Sequence, residues 1–145
     1  MPYIEDFLTT KEEEEIIEAI RVAERETSGE IRVHLEQKCN IDVYERALEV
    51  FHILKMDNTS QQNGVLIYVA VDNKAFVIFG DQGINNVVGS DFWNSTRDKI
   101  SSQFKSGNFK QGIIDGIHEA GKVLSKHFPW EHGDRNELDN TISKG

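Results

Sequence analysis

Residues 65–71 (VLIYVAV) and 75–79 (AFVIF) are apolar at every position, and only Asp72, Asn73 and Lys74 separate them. A strand with one wet face alternates polar and apolar residues, whereas an unbroken apolar run of this length belongs to a strand covered on both faces. Three residues cannot return the chain in a parallel sense, because that crossover takes a dozen or more. The two runs therefore predict an antiparallel hairpin inside a sheet with covering layers on both sides. Neither approaches the ~20 apolar residues of a membrane span, so no direct membrane insertion is expected.

The flanking segments supply the layers. A first helix is predicted to start at Thr10, with Glu13 completing a capping box, and Ile16, Ile20, Val22/Ala23 and Thr27 form its apolar stripe. Ser28-Gly29 ends it. In EIRVHLE, Ile31, Val33 and Leu35 alternate with Glu30, Arg32, His34 and Glu36, the period of a strand with one buried face. On that reading His34 is solvated. Asp42, with Glu45 three positions on, caps a second helix that turns Val43, Ala47, Val50, Phe51 and Leu54 inward.

After the hairpin come a helical turn over residues 84–88, a helix marked by Phe92, Trp93, Thr96, Ile100 and Phe104, and a last helix from Phe109 to Phe128 stopped by Pro129. Gly112, Gly116 and Gly121 on that last helix suit close packing against its neighbours. Strand-helix-strand gives a parallel pair and the hairpin adds an antiparallel strand. The predicted fold class is α/β: a three-layer α/β/α sandwich around a small mixed sheet. It forms a single domain over residues 1–130, followed by a polar, mobile tail over 131–145.

The chain has 145 residues, 38% hydrophobic and 28% charged, with a net charge of −9. Nucleic-acid binding needs clustered Lys and Arg to neutralise phosphates, so nucleic acid is not an expected partner. The single cysteine, Cys39, leaves no internal disulfide to form and has no cationic cluster beside it, so it reads as a bystander. The opening MPYIEDFLTT has neither a basic region nor an apolar stretch before a cleavage site, and the expected compartment is cytoplasmic.

Four stretches, AIRVAERETSGEIRVHL, NGVLIYVAVDNKAFVIFGDQGI, DFWNSTRDKISSQFKSGNFKQGIIDGI and LSKHFP, resemble the TPM domain family across about residues 5–130. Members of that family include thylakoid-lumen proteins of photosystem II repair, a nematode acetylcholine-receptor modulator and many bacterial proteins. The resemblance implies an α/β/α sandwich. It also implies an association with calcium and, from plant relatives described as acid phosphatases, hydrolysis of phosphate monoesters. Several members act in the assembly or repair of membrane complexes, which implies a protein partner that is membrane-associated.

Signatures of phosphate-ester chemistry are missing: no cysteine-loop-arginine, no Asp-x-Asp, no Arg-His-Gly and no Gly-x-x-x-x-Gly-Lys. No catalytic residue is assigned, and dispersed carboxylates around a divalent metal are the remaining route to hydrolysis. The hairpin puts Asp72 and Asp81 at opposite ends of the sheet, on the order of 20 Å apart at ~3.3 Å per residue. Asp81's end also gathers Glu30, Asn63, Gln82, Asn85 and Asp91.

Carboxylate and amide oxygens suit Ca2+ or Mg2+, not zinc, so Asp81, Glu30, Asn63 and Asp91 are the expected metal ligands. Gln82, Asn85 and Trp93 are the expected cleft lining. The same residue types also build ordinary tight turns. The opposite end, with Glu36, Lys38, Asp42, Asp72, Asn73 and Lys74, reads as solvated surface, and His127, Glu131, His132 and Asp134 as part of a floppy acidic tail. The expected function is a binding or assembly module with a possible divalent cation; the alternative is a metal-assisted acid phosphatase.

Overall fold

The computed structural model describes residues 7–59, 61–89, 91–130 and 142–144. In chain order the elements are α1 (Thr10–Glu24), β1 (Glu30–Glu36), α2 (Val43–Ile53), a 3-10 turn (Met56–Asn58), β2 (Gly64–Ala70), β3 (Ala75–Gly80), α3 (Gln82–Val88), α4 (Asn94–Lys105), α5 (Phe109–His127) and β4 (Ser143–Lys144). The sheet order is β3-β2-β1-β4. β1 and β2 run parallel in the register Glu30↔Gly64, β2 and β3 antiparallel in the register Val65↔Gly80, and β4 parallel to β1.

Every residue of β2 is buried, as its unbroken apolar run requires. One face of the sheet presents Ile31, Val33, Leu35, Ile67 and Ile78 to α1 and α5, including Ile16, Ile20, Ile113 and Ile117. The other presents Leu66, Tyr68, Val77 and Phe79 to Ala47, Val50 and Phe51 of α2. The molecule is thus the three-layer mixed-sheet sandwich that the hairpin implied. Gly116 lets α5 sit directly on the core: a Cβ there would come within 2.8 Å of Ile100 and 3.1 Å of Ile67.

Three local expectations change. The α1 cap is Thr9, not Thr10: its hydroxyl accepts from the Glu12 N–H while Glu12 returns a bond to the Thr9 N–H, closing the capping box one residue earlier. Trp93, expected to line a cleft, is buried, at 4% exposure. Within the predicted tail, Ser143 and Lys144 pair with His34 and Leu35 as an edge strand, and Lys144 reaches Glu13. Residues 131–141 and 145, with Glu131, His132 and Asp134 among them, lie outside the described residues.

Candidate functional site

The polar corner after β3 is held by its own chain. Asp81 precedes α3 and its Oδ1 accepts from the Gln82 N–H at 2.7 Å, while the Asp81 N–H donates to Gly64 O at 3.0 Å. Gly83 is required for close approach: a Cβ there would lie 2.2 Å from Gln61 O and 2.6 Å from Gln62 O. Gly80 likewise leaves the space that the Trp93 indole fills. The Asn85 side chain donates to Gly80 O, and Gln82 turns toward Asn86. Much of the GDQGINN stretch is therefore turn chemistry that seats the segment before β2 on the first turn of α3.

The strand tips do converge. Glu30 N–H donates to Asn63 O, and Gly64 lies between Glu30 of β1 and Asp81 after β3. Asn63 is 1% exposed, its amide nitrogen donates to Ser28 Oγ, and its Oδ1 accepts no hydrogen bond among the described residues. Among the described residues, Asp81 Oδ2 is also buried without a donor, and Trp93 Nε1 without an acceptor. Asp91 is exposed, with its carbonyl accepting from Asn94. No three His, Cys, Asp or Glu side chains gather to hold a metal ion among the described residues. A cation here would need amide and backbone oxygens besides carboxylates.

Glu30 has a partner that the sequence reading missed. Glu24, at the end of α1, is buried, accepts from the Ile31 N–H at 2.8 Å and hydrogen-bonds the Glu30 side chain. Burial first, and the adjacent Glu30 charge second, push the Glu24 carboxyl up to about 9. The pair is therefore a proton-holding carboxyl couple at neutral pH. Its signal was present in the spacing Ile16, Ile20, Glu24, which puts an acid on the apolar stripe.

The carboxyl end of β1 corrects the reading of a solvated face. His34 and Glu36 are 6% and 8% exposed. Glu36 accepts from Arg46 Nε at 2.8 Å and Nη2 at 2.9 Å, and from the Tyr68 hydroxyl at 3.1 Å. His34 Nε2 meets Glu36 Oε2 and its Nδ1 meets Ser143 Oγ, each at 2.9 Å. Burial alone would raise the Glu36 pKa, but bonds from Arg46, His34 and Tyr68 outweigh it and hold the carboxylate below its ordinary range. Burial lowers His34, partly opposed by Glu36. Cys39 is also buried, its thiol donating to Ile41 O.

Beside this end of the sheet, on the α5 face, opens a cleft of about 610 Å3. Phe7, Val69, Phe76, Phe104 and Phe109 wall it, with Lys74 and Lys105 among its lining. It is built from segments far apart in the chain, which is why no local pattern announced it.

A family model described as the TPM domain matches residues 4–123. The chain is similar to the BA42 protein of the psychrophilic bacterium Bizionia argentinensis, whose NMR structure is 64% identical over 100% of both chains, with a TM-score of 0.92. It is also similar in fold to the N-terminal domain of a P. gingivalis protein, at 20% identity, 87% of this chain, 83% of that one and a TM-score of 0.71. No curated protein matches. No helix among the described residues is long and apolar enough to cross a membrane.

Proposed function

Since the chain belongs to the TPM domain family, we propose that it works as a binding and assembly module whose corner at Asp81 takes Ca2+ or Mg2+. The bound ion sets the surface offered to a protein partner, one that belongs to a membrane-associated or other multiprotein complex. The observation that carries this reading is a pair of buried side-chain oxygens, Asn63 Oδ1 and Asp81 Oδ2, that accept no hydrogen bond among the described residues, on segments that meet at one end of the sheet. A buried acceptor left unmatched costs roughly 1–3 kcal/mol, and a hard cation is one chemistry that satisfies it. The donors available there are all oxygens, which fits calcium or magnesium.

Calcium titration followed by amide NMR tests the reading. Shifts should cluster at residues 28–30, 61–64 and 80–85 and disappear in Asp81→Ala. Shifts confined to residues 131–145, or absent altogether, would remove the cation. The second reading, a metal-assisted acid phosphatase, would draw on the same oxygens. Metal-dependent turnover of a generic phosphate ester, abolished by Asp81→Ala in a still-folded protein, would replace the binding module with the enzyme.

A further inference from the structure

The cleft lies at the β2–β3 turn, at the opposite end of the sheet from Asp81. It opens where β2 ends and β3 begins, between that hairpin turn and the end of α4, with Phe7 and Phe109 closing one side. Its volume of about 610 Å3 falls in the range of small-molecule pockets. Four half-buried phenylalanines make a continuous wall: ring centroids are 4.7 Å apart for Phe7 and Phe109, 5.4 Å for Phe109 and Phe104, and 5.3 Å for Phe104 and Phe76. A run of rings suits an extended apolar chain.

The charge at the cleft is of the opposite sign to that of the chain as a whole. The net charge is −9, yet Lys74 and Lys105 both line the opening, both are exposed, and neither forms an ion pair among the described residues. Asp72, in the same turn, keeps its charge while accepting from the neutral Gln37 side chain, and the two lysines still leave the opening net positive. An anion repelled by most of this surface meets two unpaired ammonium groups here. Lysines act as point charges without the fork geometry of arginine, which is sufficient for a carboxylate.

We propose that this cleft binds a free medium-chain aliphatic carboxylate, its tail along the phenylalanine wall and its head group at Lys74 and Lys105. The site is independent of the cation reading at Asp81.

Decanoate below its micelle concentration, titrated into the full chain and followed by amide NMR, provides the test. Shifts should saturate and cluster at residues 69–71, 74–76 and 104–109. Lys74→Gln with Lys105→Gln should weaken binding about tenfold, the scale of two exposed charge contacts. Ser101→Trp, which fills the cleft from a half-buried position on α4, should abolish binding while leaving the rest of the spectrum in place. Decanol, with a similar tail and no charge, should bind more weakly than decanoate. The proposal is overturned if decanol binds as well as decanoate, if the shifts lie elsewhere, or if the lysine variant binds unchanged. Binding of an apolar peptide through its free C-terminus, with no binding of decanoate, would overturn it in favour of a polypeptide occupant.

Discussion

At the amino end of β1 the buried Glu24 carboxyl meets a second carboxyl, Glu30, while at the carboxyl end the buried Glu36 meets a guanidinium, an imidazole and a phenol. Both ends bury acids beside the same strand, yet one end holds a proton and the other expels it. Burial disfavours charge in both places, and the neighbours decide the outcome. Glu24 accepts the Ile31 N–H and has a second carboxyl, Glu30, beside it. Glu36 collects donors from Arg46, His34 and Tyr68 and stays ionised. β1 is therefore anchored at its two ends by opposite electrostatics, so each end should fail under opposite conditions.

The largest effect should come from breaking the ionised end. Arg46→Ala leaves Glu36 buried without its bidentate partner, and removing one member of a buried pair costs about 3–5 kcal/mol. Chemical denaturation at neutral pH measures this directly. Adding Glu36→Gln to Arg46→Ala should recover much of the loss, because the uncompensated charge is then gone. A loss below about 1 kcal/mol in the single variant would put the pair in the class of exposed salt bridges and end the contrast.

Next in size is the pH response of the protonated end. Glu24 is raised in the folded state from an ordinary value of 4.5 to about 9. Its contribution is therefore fully present below pH 4.5 and drains away as pH rises through about 9, at roughly 1 kcal/mol per pH unit where the folded state alone holds the proton. Glu36 and His34 are both lowered, so their contributions run the other way, present above their ordinary values and lost as pH falls. Glu24→Gln keeps an acceptor for the Ile31 N–H and removes the titration. Urea midpoints at pH 5, 7 and 9 should fall less steeply toward alkali in this variant than in the parent. Identical slopes would mean that the pair does not hold the proton.

The layers were legible in the sequence because periodicity reports burial directly. The all-apolar β2, the alternating β1 and the Asp42 cap needed no tertiary knowledge. The sites were less legible because each depends on which layer covers which residue. His34 and Glu36 sit on the polar side of β1, where alternation reports polarity and not wetness. β2, the neighbouring strand, is covered on both faces, and α2 lies over that same side. Glu24 continues the Ile16 and Ile20 stripe, but as an acid it does not register in a pattern of apolar residues. Thr9 and Thr10, followed by four glutamates, offered two equivalent capping frames. β4 has two residues and no periodicity of its own; it exists only through pairing with β1.

The smallest predicted effect separates turn chemistry from ligand chemistry at Asp81. One oxygen of this side chain accepts from the Gln82 N–H ahead of α3, and the other accepts nothing among the described residues. Loss of the capping bond in Asp81→Ala should cost about 1 kcal/mol, the usual scale for an N-terminal cap. α3 is short, so the damage should stay near residues 81–88. Measured in excess chelator, that figure reflects the cap alone. Measured in calcium, the gap between parent and variant should widen, because an ion bound only by the folded parent adds stability by mass action. An equal gap in both buffers would mean that the free oxygen of Asp81 is not a calcium ligand, and that this acid, unlike the paired acids of β1, serves the turn alone.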